Sequence, residues 1–393
     1  MATKPRAIIV GAGIAGLAAA WWLDKAGWTT VVVERAPAIR DGGYIVSLTG
    51  ACRGTVDRMH LKPLLDEVAY TFDENVIHDS RGRELLRIRY EDVSGGVEGL
   101  ALCRDDLART LAKALPESAT LRFDETLDDV VEDGDRITAT LRRSGDRLEA
   151  DLLVGADGIR SAVRQRFWKD VNCLEPLGYN YAVYDVEGRE GLGSDCISFN
   201  SPGHLDVLYR LRNHRLAALH IWRDDHHAPL VLPNRPAGFD VLRDVTSGSK
   251  IEIVKTVLDR AEQKGCATVI DDLTMVNLPC WSQGRVVLLG DAAHCLTLMS
   301  GQGAGMALVS AEVLGKALMA EKDVPTALAS HERKLRPVIE RLQERSRTMA
   351  AMYIPRTWWR YYLRNLCLWL LPHSWVVQWH ANSVKTEIDL TQF

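Results

Sequence analysis

The sequence has no surplus of either charge and no paired-cysteine motif, and the apolar stretch within residues 357–379 is too short to span a bilayer and is interrupted by Pro372. Lys+Arg 48 against Asp+Glu 52 leaves a formal net charge of −4, so no basic field is present to attract nucleic acid. The eight cysteines form no CxxC pair and no His/Cys metal spacing, which fits inert thiols in a reducing compartment. No metal site is expected. In Asp224-Asp225-His226-His227 the neighbours share a turn and do not converge on one ion, so the run reads as a solvated loop. Low-complexity tracts, Gly/Ser linkers and internal repeats are missing too. What is there is ordinary globular composition, 47% apolar and 25% charged over 393 residues, enough chain for two cores.

The basic start and apolar run at the N-terminus resemble a secretion signal only superficially. Gly11, Gly13 and Gly16 interrupt the run and a second strand pattern follows at once, so it reads as mature structure of a cytoplasmic protein. Residues 6–10 (RAIIV) have the pattern of a buried parallel strand. Residues 14–26 read as a helix ended by Gly27, and 29–35 (TTVVVER) return as a strand, completing a βαβ unit. Residues 105–115 predict a helix capped at Asp105. From 172 to 222 the alternation is mostly period two, the mark of an antiparallel sheet. A strand at 285–289 then runs into GDAAH, and a helix follows from about 303 to 321.

Gly11-x-Gly13-x-x-Gly16 lies between strand and helix, the context that gives this spacing a mechanism. The first glycine allows a tight turn, the second lets backbone approach a pyrophosphate, and the third lets the helix pack on the strand. Glu34 ends the second strand 21 residues after Gly13, where an acid takes ribose hydroxyls. The motif alone does not separate FAD from NAD.

Two further segments carry a resemblance. DLLVGADGIRSAVR (151–164) and GRVVLLGDAAHCLTLMSGQGAGMAL (284–308), taken with GAGIAG, resemble the motifs of the FAD-dependent aromatic hydroxylases with the p-hydroxybenzoate hydroxylase fold. The match covers roughly residues 6–340. The segments 34–59 and ALVSAEVL look most similar to the branch that holds the tetracycline destructases. The fold this implies is α/β (α+β overall): a Rossmann-like FAD-binding domain interleaved with an antiparallel substrate sheet, plus C-terminal helices. The boundaries expected are 1–75, 100–171 and 280–340 for the FAD domain, 76–99 and 172–279 for the substrate domain, and 341–393 for the terminal segment. The resemblance places Gly11, Gly13, Ala15, Gly16, Glu34, Arg35, Gly43, Arg104, Asp157, Asp291, Gly301 and Gly303 around the cofactor. Two positions depart from the branch: Leu298 stands where Pro is usual, and Thr49 where an Arg is usual.

The chemistry implied is that of a monooxygenase. NADPH or NADH reduces FAD, O2 adds to give a C4a-(hydro)peroxyflavin, and one oxygen atom passes to an aromatic, polycyclic or lipophilic small molecule. Two alternatives stay open: a reductase of the geranylgeranyl reductase type, and a flavin-binding protein with impaired oxygenase chemistry. No acid–base dyad stands out. His294 is a candidate for a catalytic positioning role, and His220 and Trp222, which share a strand face, are candidates for substrate contact.

Residues 357–379 hold five of the eleven tryptophans, with Arg356, Arg360 and Arg364 every fourth residue. An intramolecular helix, a peripheral membrane contact and a dimer contact all suit this segment, so monomer and homodimer are both open.

Overall fold

The computed structural model describes residues 4–39, 44–70, 72–89, 100–188, 192–212, 214–224 and 237–371. Gly43, the run 225–227 and the tail beyond 371 lie outside the described residues.

Arg6–Val10, with four of its five residues buried, is the centre of a six-stranded sheet. It pairs in parallel with Thr29–Val33 on one side and Leu152–Gly155 on the other. Val286–Leu288 adds beside Leu152–Gly155, again in parallel. Near-continuous apolar strands are what a sheet covered on both faces requires. The helices Ile14–Lys25 and Gly303–Ala320 pack together over this sheet and share its core. Segments from the start, middle and end of the chain therefore build one sheet.

The helix expected to be capped at Asp105 starts one residue earlier, at Arg104, with Cys103 in the cap position and no side-chain cap. Asp105 and Asp106 instead occupy the first turn, where acids favour the helix dipole, and pair with Arg109.

A seven-stranded sheet is the second body. Leu174–Glu187, Cys196–Ser201, His204–Leu211, Arg215–Arg223 and Thr268–Val276 pair antiparallel, as the period-two pattern predicts. Glu74–His78 joins in parallel beside Cys196–Ser201, with Glu84–Arg89 at the edge. One face of this sheet is covered by the helices Ala237–Thr246 and Glu252–Gln263. The second of these buries Val254, Val257, Leu258 and Ala261, an i, i+3, i+4, i+7 stripe. The other face carries Tyr179, Leu205 and Ile221, which pack with Leu298 and Met299 from the nucleotide side.

Val324–Tyr353 is a long helix that returns along the nucleotide body, and Trp358–Leu370 follows it. The terminal helix is pinned by Tyr361, which donates to the Asn200 carbonyl at 3.1 Å and accepts from the Ser80 amide at 2.9 Å. Arg364 turns to the same side and reaches Asn200 Oδ1 at 2.9 Å. Arg360 and Arg364 lie one turn apart on this helix, Arg360 exposed and Arg364 half-buried, whereas Arg356 precedes the helix.

Candidate active site

The carboxyl ends of the parallel strands bring three distant segments into contact. The Gly11 amide donates to the Val33 carbonyl at 2.8 Å, and the Ala156 amide to the Val10 carbonyl at 2.8 Å. Gly11 has φ +103, and a Cβ there would lie 2.5 Å from the Ala156 carbonyl oxygen. Only glycine satisfies both demands. A Cβ on Gly16 would overlap the Gly11 carbonyl oxygen, so the helix can approach the strand only without a side chain. Gly290 sits against Ala15, which joins the third segment to the first.

Around this junction the residues fit a dinucleotide. Gly13 has no heavy atom within 4 Å of a built Cβ, so the helix N-terminus faces open ground where a phosphate meets free N–H groups. Glu34 accepts from the Ala12 amide at 2.8 Å through one oxygen and from the Ala36 amide at 2.9 Å through the other. Each oxygen keeps a lone pair for a ribose hydroxyl. Arg35 follows it and is exposed. Asp157 Oδ2 accepts from the amides of Ala162 and Val163, while its Oδ1 is buried without a protein partner. Thr297 Oγ1 and Gln302 Oε1 are likewise buried and unpartnered, beside the Gly301-Gln302-Gly303 turn that opens the Gly303–Ala320 helix. Buried polar atoms of this kind need a partner, and hydroxyls and ring nitrogens of a flavin nucleotide would supply one.

Arg104 is the cation of the site. Burial works against its charge, but the negative charges that Tyr44, Asp291 and Tyr181 carry when ionised more than offset this and raise its pKa. Burial pushes Tyr44 up, Arg104 opposes that shift, and Asp291 adds to it, so the phenol stays protonated. The Cys295 thiol is driven well above its ordinary value by burial and then by Asp291, which keeps it neutral and unreactive.

Two departures from the branch have local explanations. Thr49 Oγ1 lies 3.4 Å from Gln302 Nε2, linking the strand Ile45–Leu48 to the glycine turn where a cation was expected. Leu298 begins a short 3-10 turn, Leu298–Ser300, and packs with Met299 against the substrate sheet.

His220 and Trp222 do share a face, but it is the face covered by the helices and not the face turned toward Arg104 and Tyr44. His220 Nδ1 lies 2.7 Å from Asp206 and its Nε2 3.0 Å from the Tyr184 hydroxyl. His204 meets the same Asp206 oxygen at 2.7 Å. Burial would raise this carboxyl, but the two imidazoles hold it well below its ordinary value. The network is a satisfied core element, and substrate contact is withdrawn for both residues. The residues on the other parity, Tyr181, Val207, Tyr209 and Leu219, line the cleft-facing side. Both faces of the sheet are buried, so the period-two pattern could not say which one meets the cofactor.

His294 also leaves the site. Its ring packs on Trp281 at 4.8 Å and meets Ser310 at 3.4 Å, with His331 one link further at 3.1 Å from Ser310. Burial lowers His294 to about 4 and His331 to about 3, so both are neutral at pH 7. In the unfolded chain they titrate near about 6.5. As pH falls from there toward 4, the unfolded state takes up protons that the native state refuses, and stability drops. Thermal melts at pH 7 and pH 5 should show this loss, and the double variant H294Q/H331Q should flatten it. An unchanged slope in that variant contradicts the core assignment.

Tyr44, Tyr181, Thr297 and Gln302 are site residues that the sequence did not single out. Thr297 and Gln302 lie inside a recognised motif, whereas Tyr44 and Tyr181 reach Arg104 only through tertiary packing.

Comparison with known proteins agrees with this geometry. A family model described as FAD binding domain matches residues 4–178 and 254–346. The 2-heptyl-3-hydroxy-4(1H)-quinolone synthase of Pseudomonas aeruginosa is 29% identical over 381 residues, covering 93% of this chain and 94% of its own. A flavin-dependent monooxygenase of Legionella longbeachae is 24% identical over 347 residues, 88% of each chain. Among solved structures, tetracycline destructase Tet(55) superimposes with TM-score 0.82 at 22% identity, covering 100% of this chain and 99% of its own. HpxO of Klebsiella pneumoniae, complexed with FAD and uric acid, gives TM-score 0.82 at 21% identity over 97% and 96% of the two chains.

Proposed function

Because this chain belongs to the FAD-binding family, we propose that it is a flavin-dependent, NAD(P)H-driven monooxygenase acting on an aromatic, polycyclic or lipophilic small molecule. The observation that carries the reading is the meeting of Gly11, Ala156–Asp157 and Gly290–Asp291 at the ends of adjacent parallel strands. A ligand crevice is expected there in an open α/β sheet. Bound FAD supplies the redox chemistry, taking electrons from the nicotinamide and delivering them to O2.

The chain's own residues bind, orient and exclude water. Gly13 and the helix behind it take the pyrophosphate, and Glu34 the adenosine ribose. Asp291 accepts from hydroxyls of the ribityl chain, and Arg104 balances its charge. The Gly303–Ala320 helix presents its N-terminus at the glycine turn, which favours negative charge at that end of the site. Opposite, Leu298, Met299, Leu219, Val207 and Tyr181 make an apolar surface with one phenol. Such a surface suits a flat or lipophilic substrate and keeps water away from reactive species. The relatives support this: one is named as a monooxygenase and another for an alkylated quinolone product.

The test is NADPH and NADH oxidation by the purified protein with O2 uptake recorded across a panel of aromatic and lipophilic compounds. Substrate-stimulated uptake with an oxygenated product is expected. Anaerobic reduction of an alkene without oxygenation would identify a reductase instead.

A further inference from the structure

The terminal helix Trp358–Leu370 has two unlike sides. Tyr361 and Arg364 fasten its inner side to Asn200 and to the carbonyl of Tyr353. The outer side carries Trp358, Trp359, Tyr362, Leu366, Trp369 and Leu370, all exposed; Trp359 is 62% exposed and Trp369 78%. At 3.6 residues per turn these six fall in one continuous arc of about 120°. Single exposed apolar residues are ordinary, but a contiguous aromatic stripe marks a contact surface.

Charge identifies the occupant. Residues 356–371 contain no carboxylate, while Arg356 and Arg360 are exposed at the head of the helix. Arg360 lies over the Trp359 ring at 5.2 Å. Arg81, next to the Ser80 that holds Tyr361, is a third exposed cation on the same border. Tryptophan and tyrosine on an apolar stripe, edged by arginines, suit the headgroup region of a bilayer with anionic lipid. At 13 residues the helix is about 20 Å long, too short to span a hydrocarbon core of about 30 Å. Among the described residues, one helix is long and apolar enough to cross, Gly303–Ala320, and it is mostly buried in the fold.

We propose that the outer face of this helix lies flat on an anionic membrane surface. Its base adjoins the apolar cluster of Tyr353, Ile354, Tyr179 and Leu298. Resting on the monooxygenase reading, this places the bilayer beside the site as a reservoir for a lipophilic substrate.

Flotation of the full chain with phosphatidylcholine vesicles, with and without about 30 mol% phosphatidylglycerol, tests the proposal. The wild type should float with the anionic vesicles, less so at high salt. W359S/W369S should bind at least about 10-fold more weakly, and R356Q/R360Q should lose the preference for phosphatidylglycerol. Both variants should keep the flavin absorption of the wild type, so this test stands or falls apart from the redox reading. Wild type that stays unbound with both vesicles overturns the proposal, as does unchanged binding by W359S/W369S. A wild-type dimer that W359S/W369S converts to monomer also overturns it, because a second copy then covers the face.

Discussion

Gly16→Ala is expected to yield protein without flavin and with a Tm lower by roughly 3–5 °C, whereas Gly13→Ala should weaken flavin binding alone. The two glycines differ by three positions and by what surrounds them. A Cβ on Gly16 would overlap a backbone oxygen of Gly11, so the helix must retreat from the strand. Overpacking against backbone costs on the order of 3 kcal/mol, because no side chain can yield. Gly13 has extended φ and ψ (−80, −176) and open surroundings, so an added methyl strains nothing in the protein itself. That methyl would stand where the pyrophosphate approaches, weakening FAD by about 10- to 100-fold. Melting curves of the two apoproteins and FAD titrations separate the effects. Equal melting of both variants with full flavin retention contradicts the assignment of this turn.

Asp291→Ala should weaken FAD binding by about 10- to 100-fold with little change in the stability of the apoprotein. Asp291 begins a short helix without capping it and is half-buried, so the fold does not depend on its carboxylate. What it does offer is acceptor capacity beyond a strand end, within electrostatic reach of Arg104 and Tyr44. Hydrogen bonds from hydroxyls to a charged acceptor are worth about 1.5–3 kcal/mol each, which sets the fold-change. Arg104→Gln should also weaken FAD, and the double variant should fall short of the sum of the two losses, since the groups interact. Strict additivity, or wild-type affinity in D291A, places Asp291 off the cofactor.

The parts of this site that could be read in the sequence are those where backbone geometry restricts residue type. Gly11 and Gly16 are forced by close approach of main chain to main chain, and Glu34 and Asp291 sit at strand ends that the hydrophobic pattern locates. The α/β class, the return of the chain to the first sheet and the antiparallel second sheet follow from the same patterns. Residues that meet through tertiary packing were not legible. Tyr44 and Tyr181 come from different sheets, and nothing local ties either to Arg104. His220 and Trp222 were paired correctly with each other and assigned to the wrong side, because helices bury their face as fully as the nucleotide body buries its opposite. His294 sits three residues after Asp291, yet one turn of helix directs it into the core.

The central claim is that three segments far apart in the chain together grip one flavin nucleotide. Titration of the apoprotein with FAD, followed by flavin fluorescence, tests it most directly. Quenching that saturates at one FAD per chain, and shifts to about 10- to 100-fold higher FAD concentration in Gly13→Ala, is the predicted result. A chain that leaves flavin fluorescence unchanged at every ratio contradicts the account.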